Sequence, residues 1–142
     1  MKAMKIEFWL EPHGTKPVKA HSTDAGFDFY ATSTFDILPQ GQKTVLSGVH
    51  MNIPAGYAGL IKSRSGMAFQ EGIICDTGVI DAGYTGEIGI LIYNRSRHKV
   101  TIKRGQRVAQ MVIVKIPEVE LEETSSVAQT ERGQNGFGSS GK

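Results

Sequence analysis

The chain has 142 residues, enough for one ordinary domain with its own core. Apolar residues make up 39% and charged residues 21%, the range of a soluble globular protein, and a net charge of +2 is too small to argue for a nucleic-acid or membrane partner. The lone cysteine, Cys75, excludes a disulfide within the chain and suits a reducing, cytoplasmic compartment.

The first residues, MKAMKIEFWLEP, form neither a signal peptide nor a membrane span, because Glu7 interrupts the apolar run. Short segments rich in β-branched and aromatic residues then follow one another: KIEFWL, FDFYA, FDIL, KTVLSG, VHMNI, YAGLIK, EGIIC, EIGILIYN, KVTIK and RVAQMVIVKI. Turn signals (LPQGQ, IPAGY, DAGYTG, NRSRHK, KRGQ) separate them. Many short strands at this spacing predict an all-β sandwich, jelly roll or barrel. EIGILIYN is apolar on both faces, which predicts a central strand or a strand at a subunit interface. The only predicted helix is short, near SGMAFQ. After Pro117 the composition turns acidic, then Gly-rich. The alternation in VELEE allows one edge strand. Beyond Ser125 there is too little apolar surface to offset the entropy of ordering, so a folded unit over 1–124 and a flexible arm over 125–142 are expected.

Four polar groupings can carry chemistry, and each also has a plain structural reading. In STDAGFDFYA, Asp28 sits between two phenylalanines, either as a functional carboxylate or as a turn cap. In SRSGMA, Arg64, Ser65 and Gly66 can cradle an anion, or simply start a helix beside a solvated Arg. In GVIDAGYTGEI, Asp81 ends a buried strand, where a carboxylate can orient and deprotonate water, and Tyr84 can lie against a sugar ring; the same residues make an ordinary hairpin. In the tail RGQNGFGSSGK, Arg132 can clamp a phosphate and Phe137 can stack on a base, unless the segment is only disordered. The four histidines have no spacing that suits a metal, and Cys75 reads as a small buried apolar residue.

Taken in order, AGFDFYA, SRSGMA, GVIDAGYTGEI, RGQRVAQM and RGQNGFGSSG resemble the five motifs of the homotrimeric dUTP diphosphatase (dUTPase) family, from about Ser22 to the C-terminus. The resemblance implies a jelly-roll subunit, a homotrimer with shared active sites, and hydrolysis of dUTP to dUMP and pyrophosphate with Mg²⁺. It implies that Asp81 activates the attacking water. Tyr84 would lie under the deoxyribose, and Asp28 would hold the water shell of the metal. Arg64, Ser65 and Gly66 would bind phosphates from a neighbouring subunit, and Gln110 would support the phosphate side. The backbone of Gly78, Val79, Ile80 and Asp81, with Gly89, would read uracil. Arg132 would reach the γ-phosphate, Phe137 would cover the base, and Gly138, Ser139 and Ser140 would complete the cradle.

Three departures stand out. Ser63 replaces the usual Pro, which is expected to loosen that turn. Cys75 stands where many members carry Asn, so the contact made by that Asn side chain is not available. Ser140 stands where Thr is common. Two other functions compete. A dCTP deaminase shares the IDAGYTG turn but needs a Glu on the returning strand, where this chain has Leu91. A nucleotide-gated binding module on the same fold would keep the site but act through a protein partner.

Overall fold

A computed structural model of the chain describes residues 2–141. It contains eleven strands: β1 (Glu7–Leu10), β2 (Gly26–Tyr30), β3 (Phe35–Ile37), β4 (Gln42–Leu46), β5 (Val49–Asn52), β6 (Tyr57–Lys62), β7 (Ile73–Cys75), β8 (Gly78–Ile80), β9 (Gly89–Asn94), β10 (Val100–Ile102) and β11 (Arg107–Lys115). All pairings between these strands are antiparallel. They build a four-stranded sheet, β2-β11-β6-β8, a three-stranded sheet, β4-β9-β7, and two ribbons, β1-β5 and β10-β3. This is a jelly-roll-like all-β fold: the segment pattern predicts the all-β class, and the family resemblance implies the jelly roll.

One core joins the four sheets. Phe29, Ile61 and Met111 enter it from the larger sheet, Val45, Ile90 and Ile92 from the smaller one, and Phe35, Ile102 and Val49 from the ribbons. The period of two explains the selection: along β9, Ile90, Ile92 and Asn94 point inward and are buried, while Gly89, Leu91 and Tyr93 are only half-covered. The strand is central in its sheet, as expected for EIGILIYN, and its outer face is half-covered within the single chain. Asn94 is the polar exception in the core. Its amide nitrogen donates to the carbonyls of Ile37 and His98, and its oxygen accepts from Ser96, so the buried amide is satisfied.

The helix expected near SGMAFQ is a single wide turn, Met67–Glu71, ended by Gly72 at φ 67°. VELEE forms no strand: after Lys115 no regular element occurs among the described residues. Its glutamates leave an alternating but acidic face with nothing to pair against. No helix among the described residues is long and apolar enough to cross a membrane.

Candidate functional site

The polar groupings of the sequence gather into two clusters. The first lies where β2, β6 and β11 run side by side. Register places Gln110 of β11 between Asp28 of β2 and Lys62 of β6. The Gln110 side chain donates to the carbonyl of Ser63 at 2.9 Å and so holds the start of the 63–66 loop. Gly26 makes room for it: a Cβ there would strike the Gln110 side-chain oxygen and lie 2.9 Å from Gln110 Cβ. Asp28 is nearly buried. One carboxylate oxygen faces Arg64 Nε at 3.4 Å and the other faces Arg107 Nη1 at 3.6 Å. Two guanidinium groups around one carboxylate leave the cluster net positive, an electrostatic setting for an anion. Ser65 and Gly66 are exposed beside it, and nothing within 4 Å occupies the space where a Gly66 side chain would stand.

The 63–66 loop is tied down, not loosened. Ser63 Oγ accepts from the Cys75 N–H at 2.8 Å and donates to the Cys75 carbonyl at 3.0 Å. One hydroxyl thus satisfies both backbone groups of a strand residue, which a proline could not do. The two departures, Ser63 and Cys75, are direct neighbours. Burial pushes the Cys75 thiol up to about 11, so it stays a neutral packing group.

The second cluster is a hollow of about 260 Å³ lined by Thr44, Thr77, Val79, Ile80, Asp81, Tyr84, Gly89 and Leu91. Its floor is β8, the edge strand of its sheet. β8 pairs with β6 along one side, which leaves the N–H and C=O groups of its other side free to meet a ligand. Gly78 opens this strand at φ 91°, a conformation that only glycine adopts at no steric cost. Asp81 follows Ile80 at the strand end and is exposed. The turn after it is well anchored: Gly83 N–H donates to Ile53 O, Tyr84 N–H to Asp81 O, and the Tyr84 hydroxyl to Glu87 O at 3.0 Å. That last bond fixes the phenol ring beside the hollow. Thr77 Oγ1 accepts the Leu91 N–H at 3.0 Å, joining the floor to β9.

The tail residues join neither cluster. Arg132 Nε donates to the Asn135 carbonyl, and Ser139 N–H donates to Gly136 O, so these bonds stay inside the tail. Phe137 is fully exposed at φ 50°. Gly138, Ser139 and Ser140 are exposed as well. Three residues of the clusters are absent from the sequence reading. Arg107 lies within RGQRVAQM, and its alternation with Ala109 and Met111 hides that it faces Asp28 past a bulge in β11. Thr77 stands two residues before Val79, the period-two neighbour that a strand reading of 77–80 would have found. Thr44 comes from a distant strand, and no local signal marks it.

The dUTPase family model matches residues 13–141. The deoxyuridine 5'-triphosphate nucleotidohydrolase of Candida glabrata is 40% identical over 140 residues, 98% of this chain and 96% of that protein. The Staphylococcus bacteriophage 80alpha dUTPase solved with dUPNHPP superposes with a TM-score of 0.91 at 33% identity, covering 99% of this chain and all of that one. The dUTPase of Staphylococcus aureus phage phi11, described with a structural Mg(II) ion, superposes at 0.82 with 29% identity over 89% of this chain and all of its own.

Proposed function

The chain belongs to the dUTPase family and hydrolyses dUTP to dUMP and pyrophosphate, and from that premise we propose how its own residues carry the reaction. The observation that carries the proposal is the hollow, with an edge strand as its floor, a carboxylate at its rim and a pinned tyrosine beside it. Uracil lies along the backbone of Gly78, Val79 and Ile80, with Gly89 on the facing strand. Fixed N–H and C=O groups match its hydrogen-bonding edge, and cytosine leaves them unpaired, which costs about 1–3 kcal/mol for each buried group. The Tyr84 ring packs on the deoxyribose and leaves no room for a 2′-hydroxyl. Asp81 accepts a proton from water as that water attacks the α-phosphorus, and the bond to the bridging oxygen breaks to release pyrophosphate.

Arg64, Ser65, Gly66 and Gln110 serve the phosphates. In one subunit they stand far from Asp81. Gly78 is level with Ile61 and Ile80 with Gly59, so Asp81 leaves the sheet about 15 Å from Ser63 at ~3.3 Å per residue. The separation favours a site shared between subunits, and in the homotrimer that the family resemblance implies the Arg64 loop of one subunit would meet the Asp81 hollow of the next. Arg132, Phe137, Gly138, Ser139 and Ser140 then close over the bound triphosphate as a lid, with 1–124 as the core and 125–142 as the mobile arm.

Magnesium belongs to the same reading, held through water. The Asp28 oxygens stand 3.4 and 3.6 Å from guanidinium nitrogens, contacts long enough to leave lone pairs for the water shell of an ion. Among the described residues Asp28 belongs to no group of three or more candidate ligands, which fits an ion that would be held through water rather than in a protein cage. When bound, the ion neutralises phosphate charge and stabilises the leaving pyrophosphate. The buried, reduced Cys75 fits work in the cytoplasm.

The test follows pyrophosphate release from dUTP, dCTP, dTTP and UTP with Mg²⁺. Selective hydrolysis of dUTP is expected, and Asp81→Asn should lower kcat by ~10²–10⁴ with the fold intact. Full activity in that variant would remove Asp81 from the role of base.

A further inference from the structure

Between β7 and β8 the chain changes sheets. β7 pairs with β9 up to Cys75, whereas β8 pairs with β6 from Gly78 on, so Asp76 and Thr77 span the fork. In a regular antiparallel ladder, two facing residues of a hydrogen-bonded pair exchange both of their backbone bonds. At the fork the backbone makes only half of that exchange. Asp76 N–H donates to the Leu91 carbonyl at 3.3 Å, and the return bond runs from Leu91 N–H to the Thr77 side chain, with Oγ1 at 3.0 Å. The Thr77 hydroxyl thus stands in for a main-chain acceptor and leaves the backbone free to turn away at Gly78, φ 91°. The Ser63 hydroxyl closes both backbone groups of Cys75, so one hydroxyl holds the chain on each side of Asp76.

This fork is the closed end of the hollow. Gly89 lies two residues from Leu91 on β9, so its N–H and C=O point to the same side as those of Leu91, toward β8. β8 itself is paired on its β6 side alone. Two backbone edges therefore diverge from Thr77 with no rungs between them, and Thr77, Val79, Gly89 and Leu91 all line the space. A planar base bonded to both edges takes the place of the missing rungs. How well it fits depends on how far apart the two strands stand. Val79 and Gly89 are each two residues from the Thr77–Leu91 bond, about 7 Å along a strand at ~3.3 Å per residue, so a shift at the fork reaches both edges.

On the reading that the hollow takes uracil, we infer that Thr77 is a positioning residue for base recognition: its hydroxyl, held by Leu91 N–H, fixes the separation of β8 and β9 and with it the selectivity of the hollow for uracil. Thr77 acts through Leu91 and the start of β8, and not on the phosphates or the attacking water. Thr77→Val keeps the branching and nearly the volume of the side chain but removes the acceptor, which leaves the part-buried Leu91 N–H without its partner and the fork free to shift. The loss falls on contacts to the base, which are the same in the ground state and the transition state. It therefore raises KM and leaves kcat nearly as it was.

The experiment uses the full chain. dUMP is titrated by calorimetry, and hydrolysis of dUTP and dCTP is followed with Mg²⁺. Thr77→Val should weaken dUMP binding and raise KM for dUTP by about tenfold each, with kcat changed by less than about twofold. Its preference for dUTP over dCTP should fall by about tenfold as well. Thr77→Ser keeps the hydroxyl and should restore all of these values. A Thr77→Val chain with wild-type dUMP affinity, KM and selectivity overturns the assignment, even if its Tm falls. Equal losses in Thr77→Val and Thr77→Ser also overturn it, because they would trace the effect to side-chain shape and not to the hydroxyl. If Thr77→Val does not fold, Thr77→Ala against Thr77→Ser decides. A wild-type chain that binds dUMP but leaves dUTP intact would refute the proposed reaction alone, and the dUMP titrations would still judge Thr77. A wild-type chain that does neither removes both.

Discussion

A single hydroxyl, that of Ser63, shows how the loop proposed to bind phosphate is held in place by the strands behind it. It closes both backbone groups of Cys75 while Gln110 holds the Ser63 carbonyl from the other side. Ser63→Ala leaves a half-buried N–H and C=O short of partners, a loss of about 1–3 kcal/mol. The expected result is a lower urea midpoint and a raised KM for dUTP, with kcat changed much less. An unchanged KM would separate the loop from phosphate binding. At this scale the sequence was legible in part. Asp28, Arg64, Asp81 and Tyr84 stood out because polar or ring side chains interrupt apolar or Gly-rich stretches. The effect of Ser63 was misread. Its partner is twelve residues away, and no local rule shows that two departures face each other.

Among the elements, strands were the most legible. Alternation and turn residues located ten of them, and the three-residue β8 was marked only through Asp81 at its end, because three residues are too few to display a period. VELEE shows the converse, alternation without a strand, since a period does not form a ladder where no neighbouring edge is offered. Two predictions belong here. The β3–β10 ribbon carries Asp36, whose carboxyl is held below its ordinary 3.8 first by the Thr101 hydroxyl and then by Lys99. Because the folded value is depressed, the stabilisation is present above about pH 3.8 and is lost as pH falls through the lower, folded value. Asp36→Asn should therefore flatten the acid side of a plot of Tm against pH, while the wild-type chain keeps its slope there. The tail makes the second prediction. Its hydrogen bonds stay within itself, so a chain ending at Glu131 should keep its Tm. Loss of the proposed lid should still cut kcat/KM for dUTP by roughly 10²-fold or more. A fall in Tm of several degrees would mean that the arm is part of the folded unit.

For the whole molecule, the distance between the two clusters is the main constraint. A site divided between neighbours can be rebuilt from two broken chains. Asp81→Asn and Arg64→Ala should each be inactive alone. Co-folded at equal ratio into the proposed trimer, about a quarter of the sites should combine an intact Asp81 with an intact Arg64 loop. Activity should reappear on mixing and should scale with the product of the two fractions. Mixtures that stay as inactive as either parent would place both clusters in one subunit's site. Fold class was readable from the alternation of short strands, whereas assembly was not, because an outward-facing Leu91 or Tyr93 looks the same beside solvent or beside another chain.

The bridge between Ser63 and Cys75 also limits how this chain can change by descent. Replacing Ser63 by proline, the residue usual in the family, deletes the oxygen that serves two backbone groups at once, and nothing at position 75 can answer for it, because those groups belong to the main chain and are present whatever side chain stands there. A lineage that acquired this serine gained a staple it cannot exchange in one step without passing through a less stable intermediate. The two positions should therefore accept substitutions in a fixed order: first a compensating contact for the β7 backbone, then the loss of the hydroxyl.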